Sequence, residues 1–373
     1  MSRRERKMPK GFTVVRGFGL IELMIAMLIG LGLMAATLTI YLDMTRSNNE
    51  LAKTNTQMEN GRLAIQLLRG DLEHAGFWNG FVPEFDDLTE ADVPGDYPSS
   101  IPEPCASYAD WTVDTPTNLI GVPVQVYADV PSGCSGVVTD KVEASDVLVV
   151  SHVQTCAAGA TGCEAESAGK LYWQTSNCSS EARYQLDDSG FSMHKRDCTT
   201  LAAKRKFVNN IYYLRDYAVT TGDGIPTLMQ STFDLSGGAL IQQPATAMIE
   251  GVEAMRFEFG VDALSDTDAA VDYSQAVQWV DEENKNSPSN RGDGAADEAC
   301  TSATPCDLDQ LANTVVVKIY LLVRSLEPTQ GYSSDKTYSL AGEVFGPFDD
   351  AYQRHVYSST VRLVNVSGRR ETP

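Results

Sequence analysis

Histidine is scarce in this chain of 373 residues, and its four copies, His74, His152, His194 and His355, are scattered along the sequence. None of the eight cysteines falls in a CxxC pair, so the ligand spacing of a zinc site is missing. Also missing are G-x-S-x-G, H-E-x-x-H and a phosphate-cradling glycine loop, and no catalytic set emerges. Paired carboxylates carry no information in so acidic a chain, and the expectation is no enzyme. No repeat of 20–50 residues is present, which argues against a solenoid. Nor is there a basic stripe. Positive charge is concentrated at the start, where Arg3, Arg4, Arg6, Lys7, Lys10 and Arg16 face only Glu5. The rest holds 23 basic and 49 acidic side chains, a net −26 within a total of −21. Such a body repels phosphate backbones, so nucleic-acid binding is excluded.

What is present begins with Phe18–Leu42, FGLIELMIAMLIGLGLMAATLTIYL, which has 25 residues and one charge, Glu22. About twenty apolar residues suffice to cross a bilayer as a helix. The basic segment before it should stay cytoplasmic and place the C-terminal body outside. A secretory signal peptide has a shorter apolar core followed by a small-x-small site, and Tyr41-Leu42-Asp43 is not one. A plain anchor does not explain Glu22. A carboxylate in a membrane segment costs a few kcal/mol and normally has a partner. One turn into a helix that starts at Phe18, it can meet the α-ammonium of a neighbouring subunit.

Gly17-Phe18-Gly19-Leu20-Ile21-Glu22-Leu23 resembles the type IV prepilin signature. The resemblance implies cleavage by a prepilin peptidase after Gly17, N-methylation of Phe18, and an assembly role for Glu22. Gly11-Phe12-Thr13-Val14-Val15 is a decoy, because cutting there puts Arg16 where the glutamate belongs. The 17-residue leader is long for the family, and Met8 offers an alternative start. No proline occurs between Pro9 and Pro83, whereas major pilins often carry one in this helix.

Beyond the apolar run, Leu51, Met58, Ile65 and Leu72 form one seven-residue series, and Thr54, Gly61, Leu68 and Ala75 a second. Together they predict an amphipathic helix that ends near Gly76, Asn79-Gly80 and Pro83. From residue 18 to about 76 this makes a rod of roughly 90 Å. Residues 83–118 read as an acidic, proline-rich loop region. Strands are expected at Val122–Tyr127, Val147–Val153, Phe207–Tyr217, Val252–Phe259, Thr314–Val323 and Val356–Val366. Val315, Val317, Ile319, Leu321 and Val323 line one face of their strand, and Met255, Phe257 and Phe259 alternate with Arg256 and Glu258.

The expected class is α+β and type IV pilin-like. A long N-terminal helix packs on an antiparallel sheet that bears a large loop-rich, disulfide-bearing insertion. The expected divisions are a cleaved leader 1–17, a transmembrane helix 18–42, an amphipathic helix 43–78 and a β-rich body 79–373. Within the family, the PilW type of minor pilin is resembled at Gly61–Ile65, Arg69–Leu72, Ala75–Trp78, Gly222–Leu228, Val316–Ser325 and Thr360–Leu363. That resemblance implies a subunit near the pilus tip that primes or supports assembly, twitching motility and adhesion. Its implied partners are minor and major pilins, the prepilin peptidase, the inner-membrane assembly machinery and a tip adhesin. It implies residence in the inner membrane, with the body in the periplasm, and then in the surface pilus. The alternatives are a J-type pseudopilin of type II secretion and a surface adhesin or calcium-dependent binding module.

An even number of cysteines, all between Cys105 and Cys306, fits paired disulfides in an oxidising compartment. Many connectivities are open. Short closure favours Cys156–Cys163 and Cys300–Cys306, and proximity then orders Cys178–Cys198 and Cys105–Cys134. Calcium is the one cofactor the residues suggest, through Asp281, Glu282, Glu283, Asn286, Asn290, Asp293, Asp297 and Glu298. If Asp293-Gly294 sat at the turn of an EF-hand-type loop, Ser289, Arg291 and Cys300 would fall on ligand positions and only Asp297 would fit. A solvated acidic loop is therefore expected, with Asp293 and Asp297 the remaining metal candidates. Arg291-Gly292-Asp293 spells an integrin-binding tripeptide, a match that arises easily by chance.

Overall fold

The computed structural model describes Gly17 and residues 19–371. The leader 1–16 and the methylation candidate Phe18 lie outside the described residues. The chain divides into two compact units, Met1–Ala52 and Lys53–Pro373.

Helix α1 (Leu20–Leu72) is rich in Leu, Met and Ala, which lose little rotamer freedom in a helix. Glu22 in its first turn and Arg69 in its last complement the helix dipole. Regular helix stops a turn earlier than the periodicity predicts. After Leu72 the chain tightens through His74 N–H to Asp71 O and Ala75 N–H to Leu72 O, at 3.0 and 3.1 Å. Gly76 then takes φ +69° with Val366 against it, a position that favours glycine.

The packing face differs from the one expected. Gln57, Gly61, Ala64, Leu68 and Leu72 are the helix's buried residues, joined by Ala75 just beyond it. Leu51 and Met58 are exposed. From Gly61 onward the second series faces the core together with Ile65 and Leu72 of the first, because small residues there let the helix approach the sheet. A Cβ on Gly61 would overlap the ring of Tyr357.

The first sheet contains β1 (Val124–Tyr127), β2 (Val147–Val153), β3 (Tyr172–Thr175), β4 (Tyr184–Asp187), β5 (Lys204–Arg215), β6 (Thr227–Ser236), β7 (Ala239–Gln242) and β8 (Thr246–Glu250). Its main path is β1-β2-β5-β3-β4, and β6 joins β5 to β7 and β8. Next come β9 (Val252–Val261), the hairpin β10 (Trp279–Asp281) and β11 (Asn286–Pro288), then β12 (Glu298–Thr301) and β13 (Thr314–Arg324). A second hairpin, β14 (Tyr338–Leu340) and β15 (Glu343–Phe345), precedes β16 (Arg354–Arg362). The second main sheet has the order β12-β9-β13-β16, and its neighbours are antiparallel. Short helices α2 (Thr115–Gly121), α3 (Leu308–Ala312) and α4 (Val364–Arg370) complete an α+β fold.

Alternation along β9 and β13 reads through to the core. Met255, Phe257, Phe259, Val317, Ile319 and Leu321 are fully buried with Ala64, Leu68 and Leu72 of α1. The opposite face departs from the simple solvent face that alternation suggests. Ala254 and Leu322 are buried with Leu340, against Tyr338 and Phe345 of the β14–β15 hairpin. Strands β3, β4, β6, β7 and β8 lack an alternating signal strong enough to be read beforehand. The loop region holds short 3₁₀ turns at Glu84–Asp86 and Tyr108–Asp110 and the start of α2.

The expected last strand is corrected. It ends at Arg362 and the chain turns into α4. Leu363, Val366 and Arg370 are buried at three- and four-residue spacing, which only a helix can direct to one side.

Candidate functional site

In the unit Met1–Ala52 the apolar run is helical, and every large apolar side chain from Leu20 to Leu42 is exposed. Among the described residues this is the one helix long and apolar enough to cross a membrane. Exposed apolar surface on this scale needs lipid or neighbouring apolar helices. Gly17 is exposed ahead of the helix. Glu22 Oε2 accepts a hydrogen bond from Gly19 N at 2.9 Å, which satisfies one of the amide groups left open at the helix start.

The eight cysteines pair as Cys105–Cys134, Cys156–Cys163, Cys178–Cys198 and Cys300–Cys306. Cys105–Cys134 ties the proline-rich loop region to the turn before β2, where Cys134 is fully buried. Cys300–Cys306 links β12 to the segment entering α3. Loop closures of this kind are worth about 2–4 kcal/mol each. Thiol counting on the denatured, unreduced protein should therefore find almost no free thiol. Four or more free thiols would overturn the oxidised framework.

Charge pairing inside the body is extensive, and sequence spacing does not announce it. Asp86, wholly buried, accepts from Arg369 Nε at 2.9 Å and Arg370 Nε at 3.0 Å. Arg370 also donates to Asn313 Oδ1 and Ala312 O at 3.0 Å each. Its guanidinium lies 4.2 Å from the centre of the Tyr273 ring, with that of Arg291 at 5.1 Å. Asp146, also wholly buried, binds Arg256 and Ser302 and accepts from Phe257 N at 2.9 Å. Arg256 reaches on to Glu343 at 2.5 Å. Arg354 is held by Glu253 and Asp350.

The histidines are less scattered than their numbering suggests. The rings of His74 and His152 lie 5.7 Å apart. His152 Nε2 sits 2.9 Å from Asp71 Oδ1, and Asp71 Oδ2 accepts from Asn210 at 3.0 Å, linking the end of α1 to β2 and β5. His194 pairs with Glu181, and His355 stacks edge-on with Tyr357.

The acidic stretch uses its carboxylates on backbone amides, its own and those just after β9. Asp293 Oδ1 accepts from Ala295 N at 2.8 Å, and Asp297 Oδ2 from Ala263 N and Leu264 N at 3.1 and 2.9 Å. Asp281 Oδ1 holds the amides of Glu283 and Asn284. Among the described residues, no three His, Cys, Asp or Glu side chains gather as a metal-ligand group. A carboxyl outside the stretch, Asp262, is buried beneath it and accepts from Gly294 N at 3.0 Å. Burial pushes its pKa up to about 6, against the opposing pull of Arg370. In the tripeptide Arg291–Asp293, Arg291 is only 2% exposed. Its guanidinium donates to the carbonyls of Asp272, Gln275 and Asn290. Its charge faces inward, away from any receptor.

No curated protein matches the chain. Among solved structures, a Type IV-like pilin from Thermus thermophilus is similar, at 13% identity over 65% of this chain and 82% of that one, with a TM-score of 0.28. A family model described as Type IV Pilus-assembly protein W, PilW, matches residues 211–365, which run from within β5 into α4 and include all four strands of the second main sheet. Over residues 211–365 the chain is thus similar to the Type IV Pilus-assembly protein W family.

Proposed function

We propose that this protein is a minor pilin of the type IV pilus. A leader, residues 1–17, is removed after Gly17 and Phe18 is methylated. Residues 18–42 then serve as membrane anchor and filament-core helix, 43–78 as the amphipathic half, and 79–373 as the body outside the inner membrane. The subunit acts near the pilus tip with other minor pilins and the major pilin, supports assembly, and carries out no catalysis. One observation carries this reading. A single carboxylate, Glu22, stands one turn into an otherwise uncharged run of 25 residues behind a basic leader. A plain anchor has no use for it, whereas a helix that must meet a neighbour's new α-ammonium does. The PilW match in the body supports the same assignment.

Intact mass of the membrane-extracted protein tests the processing step. The expected mass is that of residues 18–373 plus one methyl group, and a mature chain beginning at Phe12 would overturn it. Against the J-type pseudopilin, a deletion strain should lose twitching and keep exoprotein secretion. The adhesin reading gains nothing from the buried Arg291 or from Asp293 and Asp297, which bond to backbone amides.

A further inference from the structure

Strand β16 closes one end of the second main sheet and, among the described residues, pairs only with β13. Its pairing phase follows from its two ends. Leu363 N–H donates to Val315 O, and Gln353 O accepts from Ser325 N–H. Those residues share the unbroken register that sets Val316 opposite Arg362 and Arg324 opposite Arg354. In an antiparallel pair, alternate residues bond inward. His355, Tyr357, Ser359 and Val361 therefore bond to β13, and the N–H and C=O groups of Val356, Ser358 and Thr360 point out of the sheet. Ser358 and Thr360 are exposed.

Proteins normally blunt such an edge with proline, charge, a bulge or a cover. The run Val356–Val361 has no proline and no charged residue, and its register contains no bulge. Its surroundings select an occupant. Tyr357 and Val361 face the core that includes α1, while Val356 packs, like Tyr338, Phe345 and Phe348, against the buried Ala254, Leu322 and Leu340. An added strand would lay one set of side chains over that apolar cluster. The other set would meet the α1 side, where Arg62 is exposed and its charge acts on Tyr357. Exposed His355 and Arg362 bound the edge, Arg362 being paired with Glu371. On a body this acidic, the exposed Arg62 beside the edge favours an acidic partner.

The geometry points to β16 as a docking edge for an extended segment of another polypeptide, one that alternates apolar with acidic residues and adds as a further strand. The test uses the full chain in detergent. Its probe is a blocked peptide of about eight residues that alternates valine with aspartate. The peptide should bind about tenfold more tightly than its lysine counterpart. It should also slow amide exchange at Val356, Ser358 and Thr360, while Tyr357 and Ser359 are protected throughout. Ser358→Pro removes only an outward N–H, which an edge strand tolerates, and should weaken binding about tenfold. Should that variant not fold, Ser358→Glu makes the same test, because a negative charge on the edge repels the aspartates of the probe and should weaken binding. Equal affinity for both peptides, no binding, or slow exchange of the three outward amides in the free chain would overturn the proposal.

Discussion

Asp86→Ala should lower the stability of the body by about 3–5 kcal/mol, the range for removing one partner of a buried ion pair. The carboxylate is fully buried between Arg369 and Arg370, and the Arg370 side chain is 1% exposed. Deleting the carboxylate leaves a desolvated guanidinium beside the ring of Tyr273, with only Asn313 and Ala312 to accept from it. Urea unfolding of the detergent-solubilised protein, followed by intrinsic fluorescence, measures the loss. A shift below about 1 kcal/mol would show that α4 does not depend on this clamp. The same group sets an acid limit. Burial alone would raise its pKa, but Arg370 and Arg369 outweigh burial and hold it below the usual carboxylate range. A depressed folded-state pKa contributes stability that is present above the unfolded value, near 3.9, and is lost as pH falls through the folded value. Acid unfolding of wild type should therefore begin below about pH 4, and the alanine variant should lose that component.

Glu22→Ala should insert in the membrane and be cleaved, yet fail to enter sheared pili. The run Phe18–Leu42 stays apolar enough to insert with or without one carboxylate. In the uncut chain Glu22 accepts from Gly19 N–H. Cleavage after Gly17 would create a positive α-ammonium at Phe18, which a neighbouring subunit could present to Glu22. Two charges about 4 Å apart at an effective dielectric near 20 attract by roughly 4 kcal/mol before desolvation is subtracted. Losing that attraction removes a reason for helices to align in register. Immunoblots of membranes and of sheared pili separate the two steps. Wild-type incorporation of the variant would make the glutamate incidental and remove the main physical support for the filament reading.

Several features were legible because they are local. A run of 25 residues with a single charge marks a membrane-length helix whatever surrounds it. Alternation along Val315–Val323 reports a buried sheet face because side chains point to alternate sides with period two. Cysteines six and seven residues apart close small loops, and the two longer bridges, 29 and 20 residues, also join sequence neighbours. Partner choice across long separations is a different matter. Asp86 finds Arg370 across 284 residues and Asp71 finds His152 across 81, and no periodicity encodes either pair. Which stripe of α1 turns inward also required the tertiary structure. Leu51 and Met58 are more apolar than Gly61 and Ala64, but the ring of Tyr357 can approach only where a side chain is missing. The helical tail was hidden for the same reason. Val364 and Val366 read as strand until Leu363, Val366 and Arg370 must all face one buried carboxylate and one core. Sequence alone thus determined the elements set by backbone period and chain-local closure. The tertiary structure decided which charges are buried together, how closely the helix meets the sheet, and which strand edge remains unpaired, because each depends on groups brought together only when the chain packs.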